Sequence, residues 1–193
     1  LDDSAISEPR YLGVAESDHV RGPWTRLNDG KPITIDGNDC QNSGELCNYT
    51  MPGTDLIVIG YGSCKLIDVD NTGQNDFGLG ICNRITSDPK RKTQYPDKYT
   101  GSTISLVKQD GLGWVTTLAE LIGPSFIQGG WKESYTYGYD TLPDPTDPEY
   151  LLVYYNGRDG WKDKGEEIGV SRLPVSAIPG YKEACGATCV RQR

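Results

Sequence analysis

The sequence predicts an all-β protein assembled from antiparallel β-meanders, and three observations point there. Gly 24, Pro 12 and Tyr 12 in 193 residues favour many strands joined by tight turns over helices. Apolar runs such as Leu56 to Ile59 and Leu151 to Tyr155 are short and bounded by Gly, Pro, Asn and Asp. Finally, one strand-rich unit occurs twice. Trp131 to Asp159, with Glu167 to Ser171 behind it, has a counterpart in Cys47 to Asn83. Leu56 to Tyr61 stands where Leu151 to Tyr155 stands, and Phe77 to Ile81 where Glu167 to Ser171 stands.

Repetition of such a unit at intervals of roughly 60 to 90 residues is the mark of a radial array of sheets, a propeller. Pro9 to Ala15 resembles only the second half of the unit, so the chain is expected to start in mid-blade. The expected division is residues 1–46 as the end of one blade plus a loop, 47–122 as a second blade, and 123–193 as a third blade with a disulfide-pinned tail.

Charge and cysteine usage bound the function. A net charge of -8 and a pI near 4.7 argue against nucleic acid, whose phosphates need clustered Lys and Arg. The cysteines, at 40, 47, 64, 82, 185 and 189, include no C-x-x-C pair, and with a single His in the chain disulfides are a simpler reading than zinc. Asn48-Tyr49-Thr50 is an acceptor sequon for N-glycosylation, which together with the even cysteine count predicts a secreted protein. No run of about 18 apolar residues predicts a membrane span, and the lack of a basic and apolar leader at Leu1 suggests a mature or trimmed product.

Taken in order, Leu1 to Ser7 reads as loop, Arg10 to Ala15 as a strand, and Glu16 to Trp24 as a turn. His19 in that turn is either a proton shuttle or an exposed turn residue. Lys31 to Glu45, rich in Asp, Asn and Gly, reads as a long loop pinned at Cys40 and Cys47. Leu56 to Ile59 has the β-branched pattern of a strand covered on both faces.

Beyond it, Asp68, Asp70, Thr72, Gln74 and Asp76 alternate as oxygen donors, with Gly73 after the fifth position, and resemble the start of a calcium loop. Leu79 at the twelfth position lacks the bidentate carboxylate, and a solvated hairpin tip is the competing reading. Lys90, Arg91 and Lys92 form a basic loop. Ser102 to Val107 and Gly113 to Leu118 predict a hairpin, Leu118 to Ile122 tempts a helical turn, and Gly123-Pro124 ends it. Cys185 and Cys189 close an irregular tail that starts at Pro174, and local bridges are expected.

Val14 to Asp18 followed by Gly22-Pro23-Trp24, and Tyr150 to Gly157 followed by Ile168 to Ser171, resemble the blade signatures of five-bladed propeller glycoside hydrolases of family 43 and its relatives. In that pattern an aromatic residue, a Glu and a small residue precede the strand that ends in Tyr, and the Glu is the catalytic acid. Trp131-Lys132-Glu133-Ser134 has this arrangement, so the resemblance implies Glu133 as general acid. Tyr135 stands where the family has Pro, and the Asp and Pro insertion at 140–148 lengthens the hairpin.

The resemblance covers about two and a half blades and lacks the blade that carries the family's general base. Glycosidic hydrolysis takes two carboxyl groups, about 5 to 5.5 Å or 6.5 to 9.5 Å apart. The base would therefore come from a second chain or an N-terminal half. The family's third acid aligns near Asn48, or with a shift at Glu45 or Asp39.

A carbohydrate partner also follows from aromatic faces that match a sugar's apolar face: Trp131, Tyr135, Tyr154, Tyr155 and Trp161. Tyr154 and Tyr155 point to opposite sides of their strand, so at least one packs between blades. Arg158 and Asp159 either line a pocket or close the hairpin as an ion pair. No cofactor beyond calcium is expected. Two functions follow: part of a secreted glycoside hydrolase, or a non-catalytic extracellular module for carbohydrate binding or assembly.

Overall fold

The computed structural model describes residues 13–38, 49–67, 78–89, 101–125, 135–158 and 166–179. Its regular structure is β-sheet, as the composition predicts. A small exposed hairpin pairs β1 (Ala15–Glu16) with β2 (Thr25–Arg26). The larger sheet contains β3 (Tyr49–Thr50), β4 (Ile57–Leu66), β5 (Leu79–Ser87), β6 (Gly101–Asp110), β7 (Gly113–Ile122), β8 (Tyr135–Pro143), β9 (Tyr150–Arg158) and β10 (Glu166–Pro174). Its eight strands run in the order β10-β9-β8-β6-β5-β4-β3, with β7 also on β6. Among the described residues no helix is long and apolar enough to cross a membrane.

All the ladders are antiparallel except one. β8 meets β6 in parallel through the single pair Ser102 and Tyr135. The junction is held by side chains: Ser102 Oγ donates to the Thr136 carbonyl at 2.8 Å, and Thr136 Oγ1 donates to the Ser102 carbonyl at 3.0 Å. Both residues are buried. The repeated units thus appear as β3-β4-β5 and β8-β9-β10, linked into one sheet through β6.

Strand β5 is buried on nearly every residue, and alternation sends its side chains into two cores. Leu79 and Ile81 join Ile104, Leu106, Ile122, Leu151, Val153 and Tyr155 in the first core. Cys82 on the opposite face joins Ile35, Met51, Val58, Tyr61 and Val107 in the second. The first core draws on β5, β6, β7 and β9, which are not all neighbours in the sheet. It closes because the sheet curls back so that β9 lies over β5 and β6. Register shifts in β4/β5, β6/β7 and β8/β9 supply the bends that curling needs.

Two local departures from the sequence reading have physical causes. Leu118 to Ile122 does not turn helical: Leu118 pairs with Leu106 and Ile122 with Ile104, so β7 runs on to Ile122. Ladder hydrogen bonds to β6 outweigh the weak local preference. The loop expected from Lys31 buries Ile33 and Ile35 instead of running over the surface. Asp36 and Gly37 both have positive φ, 55° and 75°, between Ile35 and Asn38, which exchange backbone hydrogen bonds at 2.9 Å. Asp-Gly is the sequence such a tight hairpin turn favours.

Cys64 and Cys82 are directly paired across β4 and β5 and form a disulfide, the local bridge expected. Cys40, Cys47, Cys185 and Cys189 lie outside the described residues. Gly80, beside Cys82, has no room for a side chain: a Cβ would stand 2.8 Å from the Lys65 carbonyl and 3.1 Å from the Trp114 ring. The bridge spans 18 residues, and closing a loop of that size in the unfolded chain stabilises by about 3 kcal/mol in the chain-entropy model. The double substitution Cys64→Ala, Cys82→Ala is expected to lower unfolding free energy by about that amount in a urea titration.

Candidate functional site

The Asp36 turn aims a carboxylate at the most deeply buried charge in the described structure. Arg84 on β5 is 0% exposed and lies on the second-core face. Its Nη1 donates to Asp36 Oδ2 at 3.0 Å and reaches the Tyr49 hydroxyl at 3.4 Å, and its Nη2 donates to Thr116 Oγ1 at 2.7 Å. Thr116 returns two hydrogen bonds to Asp36, from Oγ1 at 2.7 Å and from its backbone N–H at 2.6 Å. The Tyr61 hydroxyl lies 3.1 Å from that of Tyr49. The Asp36 turn and strands β3, β4, β5 and β7 converge here.

This arrangement is structural. The carboxylate accepts three hydrogen bonds, two on Oδ2 from Arg84 and Thr116 and one on Oδ1 from the Thr116 N–H, and its side chain is buried. Burial pushes both Tyr49 and Tyr61 well above the ordinary phenol range, with the Arg84 charge opposing the shift in each. A phenol raised in the folded state contributes stability that is complete below about pH 10 and is lost as pH rises beyond it.

The residues proposed from sequence are only partly within view. Glu133, Trp131, Asp159, Trp161, Asn48, Glu45, Asp39, the basic loop and the calcium set of Asp68, Asp70, Thr72, Gln74 and Asp76 lie outside the described residues. Among the described residues no three His, Cys, Asp or Glu side chains gather as a metal site. Tyr155 is 6% exposed and belongs to the first core, so it offers no sugar-stacking face. Tyr154 lies on the opposite side of β9 and is partly exposed, as alternation requires.

Arg158 faces Glu166 across the β9-β10 hairpin, with 4.0 Å between Nη1 and Oε1. It thus pairs within the hairpin, with Glu166. Tyr135 is its other cross-strand partner, so the ladder brings two of the proposed site residues together. His19 is an exposed turn residue whose backbone N–H meets Ser17 Oγ at 3.2 Å. A shallow depression of about 390 Å³ beside β1 and β2 includes Arg26 and Lys31 in its wall.

The feature that sequence reading missed is a surface. Residues 150, 152, 154, 156 and 158 of β9 face away from the first core, and the register aligns Leu142 with Leu152, Val170 with Tyr154 and Ile168 with Asn156. Leu142 is 45% exposed, Ile168 73% and Val170 51%. Leu152 and Tyr154 complete an apolar row across the outer face of the three-stranded unit. Its rim is charged. Arg172 donates from Nε to Asp144 at 2.7 Å, reaches Asp147 at 3.3 Å and stacks 4.2 Å above the Tyr150 ring.

That clamp orders the Asp and Pro insertion. Asp144 accepts from the Thr146 N–H and hydroxyl at 2.8 and 2.6 Å, and these bonds, with Arg172 behind them, hold its carboxyl below the usual carboxylate range. The alternation of Ile168 and Val170 with Glu167, Gly169 and Ser171 is the signal in the sequence for the outer row. Comparison with protein-family models, characterised proteins and solved structures finds no match to this chain.

Removing one partner of the buried pair exposes its role. Asp36→Ala is expected to cost about 3 to 5 kcal/mol, because the Arg84 charge is left uncompensated, whereas Asp36→Ala combined with Arg84→Met costs clearly less. Denaturant titration of both variants checks it. Stability should also fall above about pH 10, and less steeply in Tyr61→Phe, which has one phenol fewer to ionise.

Proposed function

We propose that this chain acts by contact: it is a non-catalytic, disulfide-stapled extracellular β module that takes up a further protein surface on the outer face of β8-β9-β10. The observation that carries the reading is the exposed apolar row of Leu142, Ile168 and Val170. Apolar area gathered on one sheet face and rimmed by charge marks an interaction surface, unlike single exposed residues. Several of the described charges support it from the other side. Asp36, Arg84, Asp144, Arg172, Arg158 and Glu166 are engaged with one another within the fold.

Extracellular placement is supported by the Cys64–Cys82 bridge and the Asn48 sequon. A propeller completed from outside the chain fits the same reading, because each propeller blade covers the face of the next and the β8-β10 face is open to such a neighbour. The glycoside hydrolase reading, with Glu133 as general acid and a base from another chain, is the second. It is favoured by Tyr135 meeting Arg158 at the start of β8, two residues beyond Glu133.

The decisive variant is Leu142→Lys, Ile168→Lys, Val170→Lys. All three side chains are exposed, so circular dichroism and melting are expected to stay near those of the parent protein. In the native secreted mixture, the parent is expected to elute in a complex larger than 21.2 kDa and the variant outside it. Equal elution of the two overturns the contact reading. Hydrolysis of aryl glycosides by the parent, abolished in Glu133→Gln, would establish the hydrolase instead.

A further inference from the structure

From the edge of β10 we infer that a second copy of this chain extends the sheet, by antiparallel pairing of β10 with its own counterpart about a two-fold axis at Gly169. It goes beyond the contact reading: pairing at the edge sets the outer faces of two copies side by side and leaves their apolar rows open to a further surface. Three observations lead there.

First, β10 ends the strand order, and its second edge pairs with no strand among the described residues. A strand edge offers a row of N–H and C=O groups that another strand can complete. Second, the edge is not blunted. β10 pairs with β9 through nine consecutive residues without a register shift, contains no Lys, and has its only Pro at the last position, Pro174. Bulges, lysines and internal prolines are among the devices that keep edges apart, and of the charges β10 does carry, Glu166, Glu167 and Arg172, the two on the outer face are of opposite sign.

Third, the strand is complementary to itself in one register. Antiparallel pairing about a perpendicular two-fold axis keeps each side chain on its own face, so the axis must pass through a residue position. At Gly169 it sets Ile168 opposite Val170 of the other copy and Glu166 opposite Arg172, all on the outer face. Glu167 then faces Ser171 on the inner face. Moving the axis to Val170 sets Ile168 against Arg172, and moving it to Ile168 sets Glu166 against Val170. Each keeps one apolar self-pair, Val170 on Val170 or Ile168 on Ile168, but both lose the pairing of Glu166 with Arg172 and set a charge against an apolar residue.

The charges are placed to take part. Glu166 and Arg172 each keep half of their side-chain surface exposed while bonded within their own copy. Pairing at Gly169 therefore extends a line of alternating charge along the joined sheets, and the apolar rows of the two copies meet as one. Across the seam the order runs β8-β9-β10 of one copy into β10-β9-β8 of the other, each end continuing into its own sheet through β6.

Sedimentation equilibrium of the purified chain, with its disulfides intact, is the first arm. The expected result is a concentration-dependent rise from 21.2 kDa towards twice that mass, lost in Ile168→Lys and weakened in the charge reversal Glu166→Arg. The second arm reads the register. Ile168→Cys chains mixed with Val170→Cys chains are expected to form disulfide-linked pairs several-fold more than either variant alone, because 168 meets 170 and neither meets itself.

A dimer indifferent to Ile168→Lys and Glu166→Arg, or Val170→Cys linking best to itself, overturns the pairing. A purified chain that stays monomeric at every concentration also overturns it. In that case the native mixture separates the two readings: a larger complex lost in the triple lysine variant leaves the contact surface standing with a different partner, and its absence removes both.

Discussion

Strand β5 has almost no residue open to solvent, so both of its faces must be covered, and most of the fold follows from that constraint. On one face the curled sheet brings β9 over Leu79 and Ile81. On the other, β4, the Asp36 turn and Trp114 cover Cys82, Gly80 and Arg84. The second face could not be purely apolar once Arg84 was placed there. A buried guanidinium has to be neutralised and its donors occupied. Asp36, Thr116 and the Tyr49 hydroxyl take up its Nη1 and Nη2 while Nε is left without a partner among the described residues, and these contacts tie the segment before β3 to β5 and β7.

Much of this was legible in the sequence wherever a local pattern matched the final environment. Leu56 to Ile59 reads as covered on both faces because β-branched residues run without a polar break, and Val58 and Ile59 are buried. Leu151 to Tyr155 reads as a strand from its apolar run and Glu167 to Ser171 from its place in the repeated unit, and they lie within β9 and β10. What remained hidden depended on distant partners. Nothing in the composition of Lys31 to Glu45 marks Asp36 as the counter-ion of a residue 48 positions away. Only the Asp-Gly pair hints at a turn. Leu118 to Ile122 was ambiguous because its strand character comes from β6.

The site was less legible than the fold for a related reason. Tyr155 looked like a sugar platform because aromatic residues serve cores and ligands alike, and only the curl of the sheet assigns it to the core. Arg158 and Glu166 are cross-strand neighbours, a pairing fixed by register, and register is not visible until the hairpin is built. The outer row of Leu142, Ile168 and Val170 comes from three stretches of sequence that the ladder aligns. Several charges of the described residues pair within the fold, and Leu142, Ile168 and Val170 leave apolar surface on the outer face of β8-β10. That division is what favours a module that binds by surface.

Residue-resolved amide hydrogen exchange in dilute protein tests this division most directly. Exchange reports the free energy of opening, which is greatest where a strand is covered on both sides and least at an open edge. The account predicts that Ile81 to Thr86 exchange only through global unfolding, while Ile168 to Arg172 exchange fastest among the long strands. Equal protection of β10 and β5 in the isolated chain would contradict it, because the outer face and edge of β10 would then already be covered.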